Sequence, residues 1–202
     1  DYFEVAEQLS QARAEAGATL AEQVSAQLRQ LGLPHGRFRV ALSPKPRERA
    51  DAHGLDRIEL QVTLNPGQDF GPISKVASGG ELSRVSLALE VIAAGASSVP
   101  TLVFDEVDSG IGGGVAEIVG RRLREIATNR QVLCVTHLAQ VASQGQHHFR
   151  VSKLTDGEHS RTSVRALSAD ERIEELSRML GGVEITDTTR AHAQEMIQRA
   201  GS

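Results

Sequence analysis

The sequence predicts an α/β fold that contains a parallel sheet. Two short segments, TLVFDE at 101–106 and QVLCVTH at 131–137, begin with apolar runs, which are typical of strands buried on both faces. The segment between them, GGVAEIVGRRLREIA at 113–127, places apolar residues at helical spacing. A strand, a crossover helix and a second strand in this order indicate neighbouring parallel strands.

Composition places the chain among ordinary globular proteins. It has 202 residues, of which 40% are hydrophobic and 24% charged, enough for one sizeable core or two small ones. The formal net charge of -4 argues against non-specific binding of nucleic acid by the chain as a whole, although a local basic surface stays possible.

Several features favour a cytoplasmic location. The single cysteine, Cys134, excludes an internal disulfide framework. No apolar run approaches the roughly 20 residues of a membrane helix, and the first residues lack the layout of a signal peptide. Because a helical pattern is already running at the first residues, the chain is expected to be a piece of a longer protein.

The stretch from Phe3 to Leu31 is predicted to form a long amphipathic helix, which GLPHG at 32–36 ends. This pattern has two interpretations: a helix that packs on a globular core, or the end of a coiled coil. Its apolar residues lie mostly three or four positions apart, at Phe3, Ala6, Leu9, Leu20, Val24, Leu28 and Leu31.

Two antiparallel strands are predicted next, RFRVALS at 37–43 and DRIELQVTLNPG at 56–67, with a polar loop between them. Both alternate apolar and polar residues. In the second, one face carries Ile58, Leu60, Val62 and Leu64.

A serine and two glycines, Ser78, Gly79 and Gly80, precede a predicted helix that ends at Gly95. The start of a helix offers unpaired N–H groups and the positive end of the helix dipole, which favour an anion such as phosphate. The alternative is a plain N-cap turn, which needs only one such residue.

The last part of the chain predicts a hairpin and two helices. The hairpin turns at Asp156-Gly157, a strong turn pair. The first helix opens with Ser168 and Glu171 at capping-box spacing and closes at Gly181-Gly182, and the second covers about 188–199.

Two adjacent carboxylates, Asp105 and Glu106, follow the first parallel strand. Open α/β sheets bind ligands at this carboxyl edge. Neighbouring residues of a strand face opposite ways, so the pair can divide two roles: Asp105 suits a metal ion and Glu106 a hydrolytic water. His137 follows the second strand and is expected at the same edge, although an isolated carboxylate pair or histidine also occurs as a simple surface feature.

A phosphate-binding loop of the form G-x-x-x-x-G-K-[ST] is absent from the sequence, and the glycine run 112–114 lacks the lysine that would follow it. The chain therefore does not hold a β-phosphate by the usual route.

These motifs together resemble the ABC-type ATPases, and within them the SMC-like branch. ASGGE at 77–81 resembles the signature, TLVFDE the Walker B strand, DSGIGG at 108–113 the D-loop, and His137 the switch histidine. The resemblance implies the end of a coiled-coil arm at 1–33 and the C-terminal lobe of a split head at 34–202. The N-terminal segment of such a head carries Walker A and is joined to this lobe through the coiled coil. One departure is Gly112, which stands where many ABC proteins have an aspartate.

The resemblance also implies roles for individual residues, with ATP as the nucleotide and Mg²⁺ as the metal. Asp105 would bind Mg²⁺, Glu106 would act as general base and His137 would contact the γ-phosphate. The nucleotide of an opposing head would meet a set formed by the signature and the D-loop: Ser78, Gly79, Gly80, Asp108 and Ser109.

The partners implied are the N-terminal half of the head, a second head and DNA, with a role in double-strand break repair at the nucleoid. Mg-ATP binding would drive head dimerisation, and hydrolysis would release it. Two other readings stay open: a DNA-tethering module with little catalysis, and the ATPase half of an ABC transporter, which the absence of a membrane segment disfavours.

Two further groups of residues are interpreted as structural. Adjacent histidines such as His147 and His148 point to opposite faces of a strand and have no spaced acidic or cysteine ligands. A basic stretch could meet DNA phosphates but is more often a solvated surface, and it comprises Arg37, Arg39, Lys45, Arg47 and Arg49.

Overall fold

A computed structural model describes residues 1–93, 99–156, 159–181 and 185–201. The chain folds into two units, Asp1–Val99 and Pro100–Ser202. Mixed α/β structure is present, as the sequence predicts, with antiparallel strands in the first unit and both parallel and antiparallel strands in the second.

The first unit is built on an antiparallel sheet with the strand order β1-β2-β3. Strands β1 and β2 pair over their full length, from Arg37 opposite Thr63 to Pro44 opposite Asp56. The elements of this unit are α1 (Tyr2–Gln30), β1 (Arg37–Pro44), β2 (Asp56–Thr63), β3 (Gly71–Pro72), α2 (Ile73–Val76) and α3 (Gly79–Ile92).

Helix α1 packs along β1 through contacts on one of its faces. Near its beginning, Arg13 forms an ion pair with Asp56 at 3.0 Å. In the middle, Gly17 lies so close to Val40 that an added Cβ would be 3.1 Å from that side chain. Near its end, Ser25 Oγ accepts a hydrogen bond of 2.9 Å from the backbone N–H of Phe38. Most of α1 is therefore a core-facing helix in this unit.

The first turns of α1 expose part of their apolar side chains on the same face that carries Arg13. Tyr2, Val5 and Leu9 are 43%, 62% and 38% exposed and follow one another three and four residues apart. This spacing is the one by which a second helix packs in a coiled coil. The division into an arm at 1–33 and a head at 34–202 stays a prediction, because one face of this helix both packs on the unit and carries these exposed apolar residues.

The predicted apolar face of the second strand is covered over only half of its length. Val62 and Leu64 are buried, whereas Ile58 and Leu60 are 48% and 41% exposed. Gly95, where the sequence predicts the end of α3, lies outside the described residues.

The second unit contains a parallel pair of strands followed by a hairpin and helices. Strands β4 and β5 run parallel, from Thr101 beside Gln131 to Phe104 beside Cys134, and α4 connects them as predicted. The elements are β4 (Thr101–Phe104), α4 (Gly113–Ile126), β5 (Gln131–Cys134), α5 (Ala139–Ala142), β6 (Phe149–Asp156), β7 (His159–Ala166), α6 (Ala169–Gly181) and α7 (Asp187–Gly201).

One face of the β4-β5 sheet is uncovered, which differs from the prediction of strands buried on both faces. Phe104 and the α4 residues Val119 and Leu123 are buried. On the sheet, Val103, Leu133 and Val135 are 66%, 46% and 61% exposed, and within the described residues no strand other than β4 and β5 belongs to this sheet. We refer to Val103, Leu133 and Val135 as the open sheet face.

The C-terminal part follows its predicted pattern. Strands β6 and β7 pair as a hairpin down to Asp156 opposite His159, while the predicted turn residue Gly157 lies outside the described residues, as does Gly182. Helix α6 begins with the predicted capping box: Glu171 accepts a 2.9 Å hydrogen bond from the backbone of Ser168, whose Oγ accepts one of 3.3 Å in return. None of the described helices combines the length and apolar character needed to cross a membrane.

Candidate functional site

The predicted carboxylates and histidine emerge side by side at the carboxyl edge of the β4-β5 sheet. The backbone N–H of Val135 donates a 2.9 Å hydrogen bond to the carbonyl oxygen of Phe104, which extends the parallel ladder by one step. The next residues are Asp105 and Glu106 on one strand and His137 on the other, all three of them exposed. The structure therefore brings these predicted site residues together.

Glu106 has a left-handed backbone with φ of 57°, the only positive φ among the described residues other than glycine. An L-residue in this conformation is less favourable than glycine by roughly 1–2 kcal/mol. Strand β4 ends at Phe104. The prediction that Asp105 and Glu106 face opposite ways rests on the alternation of a regular strand, and that alternation ends before these two residues.

Asp108 is buried, with only 2% of its surface exposed, and it contacts the loop that carries His137. Its Oδ2 accepts a 3.0 Å hydrogen bond from the backbone N–H of His137 and a short one from the hydroxyl of Thr136. The same oxygen lies 3.3 Å from Nδ1 of His137, whose side chain is 71% exposed. A contact of Asp108 with nucleotide stays a prediction, and its carboxylate is already engaged within the chain.

The rest of the predicted D-loop forms a tight turn before α4. The backbone N–H of Ser109 donates a 3.0 Å hydrogen bond to the carbonyl oxygen of Glu106. Gly110 has a φ of 73°, which suits glycine because it lacks a Cβ. Ser109 is exposed, so its side chain is accessible to a ligand.

The predicted signature lies in the first unit at the start of α3. Ser78 is the N-cap residue and forms a capping box with Glu81, whose carboxylate accepts a 2.9 Å hydrogen bond from the backbone N–H of Ser78. Ser78 and Gly79 are exposed, whereas Gly80 is buried. The plain N-cap geometry is thus present, and a phosphate contact in addition to it stays a prediction.

Two arginines that no motif indicates anchor the segment after His137. A terminal nitrogen of Arg172 donates to the carbonyl oxygens of Ser143 at 2.8 Å and Gly145 at 2.5 Å. Arg124 donates to the carbonyl oxygen of Gln144 at 3.0 Å. Such bonds satisfy carbonyl groups just beyond the end of a helix. They fix the segment that follows α5, and no sequence signal could have identified them.

The thiol of Cys134 lies on the strand that leads to His137. Burial, with smaller contributions from the carboxylates of Asp108 and Asp105, raises the pKa of Cys134 to about 12. The thiol therefore stays protonated at neutral pH, and we interpret Cys134 as a structural residue of the strand.

Alkylation of Cys134 is expected to be slow in the folded chain. Because only the thiolate reacts, a pKa near 12 reduces the reactive fraction at pH 8 roughly a thousand-fold relative to a free thiol. Iodoacetamide labelling followed by mass spectrometry would measure this rate, with the chain unfolded in guanidinium as the control. Equal rates in the folded and unfolded chains would contradict the assignment.

The basic stretch is partly neutralised by its neighbours. Lys45 pairs with Asp51 at 2.9 Å, and Arg47 lies 3.8 Å from Glu7. The guanidinium groups of Arg37 and Arg39 lie 5.3 and 4.3 Å from the centre of the Phe70 ring. These contacts favour the interpretation as a solvated surface.

The histidine pair is also structural in character. His147 is exposed, whereas burial and the nearby Arg172 lower the pKa of His148. Among the described residues, no group of three or more potential metal ligands is clustered, here or elsewhere.

Comparison with known proteins relates the sequence to DNA repair proteins. The chain is 46% identical to the DNA repair protein RecN of Xylella fastidiosa and 42% identical to RecN of Deinococcus radiodurans, over 96% and 98% of its own length. It spans only 35% and 34% of those two proteins. No protein-family model matches the chain.

Comparison with solved structures relates the fold to SMC heads. An SMC head domain with a coiled coil and joint, from Pyrococcus yayanosii, matches 79% of the chain with a TM-score of 0.55 at 23% identity. A chain from a study of ATP-driven dimerisation and DNA-stimulated activation of SMC ATPases matches 86% with a TM-score of 0.51 at 18% identity, and 99% of that chain is covered. At these identities the likeness shows the fold.

Proposed function

Since this chain is a RecN-like segment with the fold of an SMC-type ATPase head, we propose that it is the C-terminal portion of an ATPase head that acts in the repair of DNA double-strand breaks. Mg-ATP binding drives dimerisation of the completed heads, and hydrolysis releases it. The observation that carries the proposal is the convergence of Asp105, Glu106 and His137 at one edge of the parallel sheet.

In this proposal, Asp105 holds the metal and Glu106 activates water. Mg²⁺ prefers one or two carboxylates together with water and phosphate oxygens, so a single exposed carboxylate at a strand end fits its needs. When bound, Mg²⁺ would neutralise charge on the β- and γ-phosphates. Glu106 takes a proton from the attacking water, and His137 contacts the γ-phosphate through its exposed ring.

The signature turn is proposed to contact the nucleotide of a second head. Exposed Ser78 and Gly79 stand at the N-terminus of α3, a helix of 14 residues whose dipole favours an anion. The D-loop residue Ser109 is exposed and would contribute to the same interface, whereas Asp108 offers no exposed carboxylate for it. Two ATP molecules between two heads would thereby link the heads.

The N-terminal half of the head is the proposed partner of the open sheet face. Val103, Leu133 and Val135 expose an apolar surface on a sheet of only two described strands. Apolar patches of this kind mark interaction sites in soluble proteins. The matched relatives are about three times as long as this chain, which leaves ample sequence for the missing half.

The proposed role on DNA rests on the similarity of the chain to DNA repair proteins RecN, and location at the nucleoid would follow from that role. The geometry supports only the nucleotide role, because the basic side chains Arg37, Arg39 and Lys45 are held by neighbouring side chains. A tethering module with little turnover is the alternative that measurement of hydrolysis separates from this proposal.

Completing the head is expected to switch on hydrolysis. The 202-residue chain alone should release no phosphate from ATP, because its sequence lacks a phosphate-binding loop. Co-purification with the N-terminal segment of the same protein should give turnover that depends on both parts. Phosphate release would be measured for each part and for the mixture.

The control for this experiment is the chain carrying Glu106→Gln, which exposes any contaminating ATPase. If the unmodified chain alone hydrolyses ATP and Glu106→Gln removes that activity, the chain needs no partner for turnover. A completed head without turnover would overturn the ATPase assignment and favour the tethering module.

A further inference from the structure

The buried carboxylate of Asp108 accepts its hydrogen bonds from a single loop, the one that carries His137. It is 2% exposed, and each hydrogen bond described above comes from the two consecutive residues Thr136 and His137. Removing a carboxylate from water is costly unless hydrogen bonds or opposite charges compensate. The burial of Asp108 therefore depends on the position of the His137 loop, and the loop depends equally on Asp108.

Thr136 extends this connection to the helix that follows. Its hydroxyl donates to Asp108 and also accepts a 3.0 Å hydrogen bond from the backbone N–H of Leu138. Leu138 is the N-cap residue of α5. The hydroxyl thus closes the loop between β5 and α5 around the carboxylate.

The ring of His137 lies beside the same oxygen. Nδ1 lies 3.3 Å from Oδ2 of Asp108, while the side chain as a whole is 71% exposed. A neutral imidazole carries its proton on one nitrogen, and the partner of that nitrogen selects the tautomer. A proton on Nδ1 that faces the carboxylate leaves Nε2 as the ring nitrogen available to a ligand.

We propose that Asp108 is a positioning residue that holds the backbone and the ring of His137 and so joins the D-loop to the histidine loop. This inference rests on the proposed function, in which His137 contacts the γ-phosphate. Movement of the histidine on loss of that phosphate is then transmitted to residues 108–112, the segment proposed to face the second head. Asp108 itself does not touch nucleotide, in contrast to the role implied by the family resemblance.

The first test uses the 202-residue chain and needs no nucleotide. Nitrogen-15 NMR of labelled histidines, at a pH where the rings are neutral, reports the tautomer of His137. We expect the Nδ1–H form in the unmodified chain and a shift in Asp108→Asn and Thr136→Val towards the tautomer mixture of the exposed His35. Asp170→Asn, which changes an exposed aspartate of the same unit, is the control and should leave the His137 signals in place.

The nearly isosteric variants guard against misfolding, since Asp108→Ala leaves a cavity and the unpaired hydroxyl of Thr136. Unchanged His137 nitrogen shifts in both Asp108→Asn and Thr136→Val would overturn the proposal. A shift in both variants supports it. The result stands whether or not the completed head hydrolyses ATP, so failure of this inference is distinguishable from failure of the proposed function.

The second test measures steady-state kinetics of the completed head. Loss of a partner that orients a metal-binding histidine typically lowers activity about 10- to 100-fold, and we take this range as the scale for His137. We expect a decrease of this size in kcat for Asp108→Asn with a nearly unchanged KM for ATP, and partial recovery in Thr136→Ser relative to Thr136→Val. A large increase in KM with unchanged kcat would instead make Asp108 a direct nucleotide contact and overturn the positioning role.

Discussion

Replacing Glu106 by glutamine is expected to abolish ATP turnover by the completed head while leaving ATP-dependent dimers intact. Glutamine keeps the size and hydrogen-bonding capacity of the side chain but cannot accept the proton of the attacking water. General bases typically contribute about 10²- to 10⁴-fold, so the rate of phosphate release should fall by that factor. Size-exclusion chromatography with ATP would show the dimers, which should persist because hydrolysis no longer releases them.

A matched control is Glu117→Gln, since Glu117 is also exposed in the second unit but lies on α4, outside the predicted motifs. It should leave turnover unchanged. Unaltered turnover in Glu106→Gln would contradict the general-base assignment. Simultaneous loss of turnover and dimers would assign Glu106 to nucleotide binding instead.

A single aspartate on the open sheet face is expected to prevent assembly of the head without unfolding this chain. Val103 and Val135 are 66% and 61% exposed, so Val103→Asp or Val135→Asp places the new charge in water as long as the chain is alone. In the proposed assembly the same charge becomes buried without a partner. Such burial costs several kcal/mol, and about 3 kcal/mol corresponds to a hundred-fold weaker Kd.

Circular dichroism would follow the melting of the chain alone, and calorimetry would follow its binding to the N-terminal segment. Thr128→Asp adds the same charge at an exposed position in the loop after α4 and should bind normally. Normal binding by the valine variants would show that the N-terminal half occupies another surface. A large loss of melting temperature in Val103→Asp alone would show that the face is already part of the core of this chain.

The elements that the sequence predicts correctly are those specified by local patterns. The capping box of Ser168 and Glu171 needs only two residues at fixed spacing, and the hairpin down to Asp156 and His159 needs only a turn and alternation. The parallel pair β4-β5 was likewise predictable, because its apolar runs flank a helical segment. In each case the determinant is a pattern within the element or in the segment that follows it along the chain.

The features that the sequence does not reveal depend on distant contacts. The local sequence does not indicate that Asp108 is buried, because its partner Thr136 lies 28 positions away in the chain. Arg172 carries no motif, yet it donates to carbonyl groups 27 to 30 residues earlier in the chain. The exposure of Val103 is also not evident from the sequence, because an apolar run predicts burial on both faces without showing what covers each face.

Because the backbone of Glu106 is left-handed, stability and the proposed activity favour different residues at this position. Selection for a stable chain alone would favour glycine there, because glycine adopts a φ of 57° without steric cost. Under the proposed function, selection for hydrolysis would retain a carboxylate in spite of that cost. Screens for thermostable variants of this chain should therefore enrich Glu106→Gly, which would raise the stability of the fold and remove the carboxylate. This is a stability–activity trade-off at a single residue.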